Sequence, residues 1–448
     1  MFDAREWKPS AFNLLLEGKD GQILFNSVTG HALWLDEGRR AAIDQCLTGL
    51  GGDATALPDL AEALAKLGFA VPAQADEYAL EKARYLAHRD DPRRLYLTLA
   101  PTMQCNMKCS YCFQQNVEHS RAMTPAIAKG VVEFARRKAE TAQGMVVQWF
   151  GGEPLMAWTT IQTMSAQLQA ICAARGIGYY AEMLTNGLLM TPEIVAALPK
   201  MAVRALQISL DGAVTTYAER RRVPLDRAEA YYRFLMAHMP ALIEGTGSVT
   251  IRINVDRQNI TEAKDVVRMF KRHAILDPRL DFRLGFINTS RGIIDCIPHD
   301  CFSNSEFADE EDDFRRFLKD QGYMVYGMPQ PVNHPCTATL SNGFTIDPQG
   351  RIGKCVPAVG TDQSVFARIH PDDIDRTLAE VESATIPYGD FDPFTSAGCA
   401  GCTLLPVCLG SCPKLHEAGQ LLSCSMKEGL EDKMAFYGAF HHERATAP

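Results

Sequence analysis

Apolar and polar positions alternate through the run Arg94-Leu95-Tyr96-Leu97-Thr98-Leu99-Ala100, and the same period of two recurs at Val146–Phe150, Tyr180–Leu184, Ala205–Leu210, Val249–Val255 and Phe282–Phe286. That period puts successive side chains on opposite faces, so the six runs predict six strands. Between most of them the apolar spacing lengthens to three or four residues, as at Thr124–Lys138, Thr159–Ala174 and Thr261–His273, which is the helical period. Strand and helix in alternation predict successive βα units around a parallel sheet, an α/β fold.

Upstream, Ala11–Leu16, Gln22–Phe25 and Ala32–Leu35 read as three short strands with turns at Lys19-Asp20-Gly21 and Ser27-Val28-Thr29-Gly30. Helices are expected at Asp36–Thr48 and Leu57–Leu67, then a strand at Gly68–Pro72 and a helical linker over Ala73–Asp91. The order is that of a small winged-helix-like α+β module, and equally that of a structural cap on the α/β part of the chain.

Composition narrows the class. With 448 residues, 46% hydrophobic and 22% charged, the chain is long enough for two or three domains with a substantial core. No apolar run reaches membrane-spanning length and the start Met1-Phe2-Asp3-Ala4-Arg5-Glu6 lacks signal-peptide shape, so a cytoplasmic protein with no membrane partner is expected. A net charge of −9 and a pI near 5.7 argue against a nucleic-acid partner.

The chemistry lies in the fourteen cysteines. Cys105, Cys109 and Cys112 come directly after the first predicted barrel strand, on the loop leaving its C-terminal end, where α/β barrels gather their active residues. Three thiolates hold three corners of an iron–sulfur cube and leave the fourth iron open to a small molecule. Short cysteine patterns also read as buried small hydrophobes or as part of a zinc site.

The run Cys105-Asn106-Met107-Lys108-Cys109-Ser110-Tyr111-Cys112 resembles the CxxxCxxC loop of the radical S-adenosylmethionine (SAM) enzymes, including the aromatic Tyr111 before the last cysteine. Gly151-Gly152-Glu153-Pro154, at the end of a predicted strand, is similar to that family's GGEP segment. Thr185-Asn186-Gly187 and Ser209-Leu210-Asp211-Gly212 resemble segments that meet SAM at its ribose and carboxylate. The resemblance implies a partial (β/α)6 TIM-type barrel and SAM contacts from Tyr111, Gly151, Gly152, Glu153, Pro154, Asn186, Ser209 and Arg221, with Arg220, Arg222 and Arg252 as further candidates for a carboxylate clamp.

Near the other end, Cys336 is followed after thirteen residues by Gly350 and after four more by Cys355; Cys399, Cys402, Cys408 and Cys412 are then spaced by two, five and three residues, and Cys424 closes the set. All seven cysteines match the SPASM pattern of radical SAM enzymes that modify peptides, although a zinc ribbon uses similar spacing. The resemblance implies an outer auxiliary cluster on Cys399, Cys402, Cys408 and Cys424, and an inner one on Cys336, Cys355 and Cys412. Cys296 or Cys301 is the candidate fourth ligand of the inner cluster, or one iron stays open. Sulfatase-maturating relatives carry an aspartate base directly after the second SPASM cysteine, whereas here Val356 comes after Cys355.

The implied division is a peptide-recognition module at 1–90, a barrel at 91–290, a bridge at 291–335, a SPASM domain at 336–424 and a C-terminal helix at 425–448. Three 4Fe-4S clusters and SAM are the implied cofactors. A ribosomally made precursor peptide with its leader is the implied substrate, and flavodoxin or ferredoxin the kind of electron donor. The implied outcome is a cross-linked peptide, a thioether first and a carbon–carbon or carbon–oxygen link next. Sulfatase maturation is the alternative enzyme, and a zinc-stabilised binding protein the alternative outside catalysis. Asp347, Asp362 and Glu153 are candidate bases by sequence proximity alone.

Overall fold

The computed structural model describes residues 3–18, 21–52, 57–114, 117, 121–287, 301–325, 329–332 and 335–417. Six parallel strands lie in sequence order: β1 (Arg94–Leu99), β2 (Gly144–Trp149), β3 (Gly178–Thr185), β4 (Val203–Leu210), β5 (Val249–Val255) and β6 (Leu280–Phe286). The expected strands are all present, and so are the helices, observed as Pro125–Lys138, Trp158–Arg175 and Ile260–Arg272.

The alternation in these strands has two different faces. In β5, Val249, Ile251, Ile253 and Val255 are fully buried, in one cluster with Val131, Phe134, Leu168 and Phe270 of the surrounding helices. Thr250, Arg252 and Asn254 take the other face and are only half-buried. β4 repeats the pattern, with Leu206, Ile208 and Leu210 buried and Gln207 and Ser209 opposite. A sheet packed on both faces would read as continuous apolar runs; polar residues at every second position mark the lumen of an open barrel.

The sheet does not end at the barrel. β7 (Gly343–Ile346) pairs parallel to β1 on its free side, and β8 (Arg351–Gly353) and β9 (Val365–Arg368) continue it antiparallel, so nine strands form one sheet. Cys355 therefore leaves a strand that belongs to the barrel's own sheet. Lys354, buried at 1% exposure, donates from Nζ to the carbonyls of Leu340 and Gly343, each at 2.6 Å, and lies over the Phe344 ring. Lys354→Met orphans both carbonyls and is expected to cost roughly 2 kcal/mol or more, since each buried group left unpaired costs about 1–3 kcal/mol; chemical denaturation measures it.

The N-terminal part holds the expected meander, Asn13–Gly18, Gly21–Asn26 and Ala32–Leu35, then helices Glu37–Thr48 and Pro58–Lys66. Ala70–Pro72 pairs antiparallel with Trp7–Pro9, a strand too short for its periodicity to show. The meander packs against the cysteine-rich segment near the other end of the chain. Leu16, Ile23 and Phe25 pack on Leu404 and Val407, and the helix Glu77–Arg89 is tied to the cysteine-rich segment by Tyr78 Oη to Phe394 O and Tyr85 Oη to Phe391 O, both 2.9 Å. Among the described residues no helix is long and apolar enough to cross a membrane.

Candidate active site

The C-terminal ends of the parallel strands converge on a cavity of about 400 Å³, within the range of small-molecule sites. Cys105, Cys109 and Cys112 line it beside Phe150, Gly151 and Gly152 after β2, Asn186 after β3, Gln207 and Ser209 of β4, and Arg252 and Asn254 of β5. Phe113, Leu184, Phe286, Ile287, Val356 and Pro357 supply an apolar wall. Among the described residues no carboxylate lines it.

The cysteine loop is held from two sides. On one side, Gly152 N donates to Thr102 O at 3.1 Å and Glu153 N to Gln104 O at 2.8 Å. The glycines are required because the loop presses on them: a Cβ on Gly151, at φ +126°, falls 2.2 Å from Thr102 O, and one on Gly152 falls 2.4 Å from the carbonyls of Met103 and Gln104. The first task of this pair is to let two backbones meet. On the other side, Lys108 N donates to Arg221 O and Ser110 N to Arg220 O, both at 3.2 Å.

Glu153 and Pro154, expected among the ligand contacts, stand behind the cavity wall instead. Glu153 has no exposed surface, and its carboxylate accepts from Thr185 Oγ1 at 2.7 Å, Asn186 N at 2.8 Å and Leu155 N at 2.9 Å. Burial pushes its pKa up, against the pull of the Thr185 hydroxyl and the two amides. With both oxygens engaged it fastens the end of β2 to the loop after β3, and it is no free base.

Arg221 is likewise engaged. Its guanidinium grips Asp211 through two hydrogen bonds of 2.8 Å, with side-chain exposures of 4% and 0%. Tyr111 Oη donates to the same Asp211, as does Asn254 Nδ2 at 3.2 Å. Asp211 is thus the hub that joins the cysteine loop, the helix Val214–Arg221 and β5. Arg221 lines the cavity as expected of a ligand contact, but its fork is already paired with Asp211. Arg220 is paired with Asp256 at 2.9 Å, and Arg222 is exposed at the helix end. Arg252 remains the cation of the strand face lining the cavity, donating to Asn254 Oδ1 at 3.0 Å. Asp347 is held by Arg351, and Asp362 is exposed against the same arginine. Neither of these two reaches the cavity.

Burial pushes the Cys105 thiol up to about 11 and raises Cys109 and Cys112, with Arg221 opposing the rise at both of these. Loading with metal therefore releases protons. Among the described residues no three His, Cys, Asp or Glu side chains converge tightly enough for a single ion. The three thiols line one cavity.

Farther along, folding brings Cys336, Cys355 and Cys412 within electrostatic reach of one another: Cys412 and Cys336 both disfavour the Cys355 thiolate, and Cys412 disfavours that of Cys336. Cys399, Cys402 and Cys408 lie on one compact turn-rich segment, with Cys399 Sγ 3.9 Å from His416 Nε2. Cys296 and Cys424 lie outside the described residues. Cys301 is disulfide-bonded, so it does not present a free thiolate.

Sequence reasoning missed Asp211 as a hub because Asp-Gly reads as a turn. It missed Gln207 and Asn254 too, although their lumen-side alternation carried the signal.

Comparisons with known proteins agree with this geometry. Residues 99–275 match the family model described as Radical SAM superfamily. Radical SAM cyclopropyl synthase TigE of Paramaledivibacter caminithermalis is 31% identical over 121 residues, 24% of this chain and 25% of the relative. The chain spans between 25% and 41% of the length of three curated relatives it matches. Two solved structures share the fold: anSMEcpe with bound AdoMet (TM-score 0.57, 15% identity, 79% of this chain and 98% of that one) and Streptococcus suis SuiB bound to S-adenosylmethionine (TM-score 0.50, 18% identity, 91% and 96%). The cysteine loop, the strand ends it faces and the matched sequence occupy one region, and residues 99–275 of this chain constitute a radical SAM domain.

Proposed function

We propose that the chain is a radical SAM enzyme that modifies a ribosomally made peptide, with Cys105, Cys109 and Cys112 holding a 4Fe-4S cluster whose open iron takes SAM. The observation that carries this reading is a small-molecule-sized cavity that brings together three thiols and polar lumen residues, with no carboxylate among the described residues. A lining of thiols and uncharged polar groups, with no carboxylate among the described residues, suits a cofactor that brings its own reactive group.

The residues present fit such a group. Asn106 Nδ2 and Gln114 Nε2 are buried donors without a partner, the first beside Cys105 and the second in the cavity wall. A ligand rich in acceptors satisfies them. When bound, cluster and SAM supply a carbon-centred radical able to take hydrogen from an unactivated C–H bond. The chain's own work is positional. Asp211 and the Gly151-Gly152 pair fix the thiols, Asn186, Ser209 and Arg252 face the ligand's polar groups, and the apolar wall keeps water from the reacting carbon.

We assign Cys336, Cys355 and Cys412 as the residues that would hold an inner auxiliary cluster, which would supply an electron acceptor, and Cys399, Cys402, Cys408 and Cys424 as those that would hold an outer one. Val356 and Pro357, next to Cys355, line the cavity, which supports a route between the two centres. Val356 at this wall also weighs against sulfatase maturation, since a valine cannot take a proton. Cross-linking, a thioether first, in a cytoplasmic setting with flavodoxin or ferredoxin as donor, completes the proposal. TigE is named a cyclopropyl synthase, which keeps carbon–carbon bond formation as the next alternative.

Anaerobic reconstitution is expected to yield about three four-iron clusters per chain, by the thiolate count, and to release 5'-deoxyadenosine with SAM and reductant. Colourless, zinc-rich protein contradicts the reading. Conversion of a cysteine-containing sulfatase peptide to an aldehyde transfers it to the sulfatase branch.

A further inference from the structure

The barrel sheet is open at β6, which among the described residues pairs with β5 alone. Val249 N bonds Arg279 O at 2.9 Å and Ile287 N bonds Val255 O at 3.3 Å, so the odd-numbered residues of this stretch aim their amides and carbonyls at β5. In a strand these groups alternate sides. Phe282, Leu284 and Phe286 therefore turn theirs to the open edge.

A groove of about 310 Å³ runs there, lined by the four consecutive residues Asp281, Phe282, Arg283 and Leu284. A groove above one face of a strand meets every second residue; one that meets four in a row lies along the edge. Its other wall is the helix Asn304–Asp320 with Phe314 and Leu318, continued by Met324, which is 54% exposed. The charges in the groove are answered within the chain, Arg283 by Asp281 and Arg315 by Glu311. The site therefore selects an uncharged extended backbone with apolar side chains at alternate positions. The strand leads to the catalytic cavity, because Phe286 and Ile287 line both its end and that cavity.

We propose that the open edge of β6 is the entry track for the substrate: an extended peptide segment adds to it as a strand, bonded to the outward amides of Phe282, Leu284 and Phe286, and delivers the residue beyond it to the cavity. The inference rests on the peptide reading above. Leu284 lies outside the cavity lining, and proline is tolerated at an edge position whose N–H faces away from the sheet. Leu284→Pro removes one outward donor, and Leu284→Ala, which keeps the amide, controls for the lost side chain. The probe is a set of peptides selected from a random library for binding to the reconstituted holoenzyme, assayed by peptide-stimulated 5'-deoxyadenosine release and by amide hydrogen exchange.

The expected result is peptide-dependent protection of the three amides and a KM raised about tenfold in Leu284→Pro, the effect of one lost hydrogen bond, with kcat and peptide-independent SAM cleavage unchanged and Leu284→Ala close to wild type. Turnover of the peptides without that protection, or with an unchanged KM, overturns the track and leaves the peptide reading standing. Protection already complete without peptide shows that another segment of the chain covers the edge, and also overturns it. Selected peptides that bind but are never turned over overturn the peptide reading itself, and the track with it.

Discussion

Asp211→Ala is expected to destabilise the protein by about 3–5 kcal/mol, the cost of leaving a buried charge without its partner. Arg221 is 3% exposed and gives two hydrogen bonds to this one carboxylate, and Tyr111 and Asn254 add a donor each. Removing the carboxylate leaves a guanidinium in a place water does not reach and four donors without their acceptor. The effect reaches the thiols, because the backbone of Arg220 and Arg221 holds Ser110 and Lys108 of the cysteine loop. Iron retained after reconstitution should therefore fall together with the denaturation midpoint. The paired change Asp211→Leu with Arg221→Met removes both charges and should recover much of the stability, as expected when charge burial rather than lost packing is the cause. A double variant as unstable as Asp211→Ala would contradict the role of Asp211 as a hub.

Gly151→Ala and Gly152→Ala are expected to leave the barrel folded and to abolish iron binding by the cysteine loop, with SAM cleavage falling to background. The added carbons sit 2.2 Å and 2.4 Å from backbone oxygens that cannot rotate away, and Gly151 has in addition a φ of +126° that L-residues avoid. The loop must retreat, and the three thiols proposed to hold one cluster no longer converge. Gly178→Ala is the control: no neighbour lies within 4 Å of its added carbon, so iron content and activity should match wild type. Circular dichroism establishes the fold of each variant and iron analysis the loss. A Gly152→Ala protein that binds iron normally would remove the buttress role assigned to the pair.

The short-range parts of this architecture were legible in the chain. β5 shows its alternation in Val249–Val255, and Thr124, read as the start of a helix, caps Pro125–Lys138 by accepting from Ile127 N. Local periodicity carries no record of long-range pairing. The continuation of the sheet through Gly343–Ile346 beside β1 joins segments about 250 residues apart, and the packing of Leu16 and Phe25 on Leu404 joins the two ends of the chain. The cysteine spacings pointed to an iron–sulfur site, yet the residues that position the cysteine loop were hidden by their ordinary appearance. Asp211 and Gly212 look like a turn, Glu153 looks like a ligand contact, and Arg221 looks like a free cation until its neighbours are known. A side chain's role depends on what it touches, and only the fold supplies that.

The proposed chemistry depends above all on an iron, held by Cys105, Cys109 and Cys112, that keeps one position for SAM. The most direct measurement of it is electron–nuclear double resonance on the reduced, reconstituted protein with SAM isotope-labelled at its amino nitrogen. Hyperfine coupling between that nitrogen and the reduced cluster is predicted, present in wild type and absent in Cys105→Ser. Iron-loaded wild-type protein that shows no such coupling would contradict it.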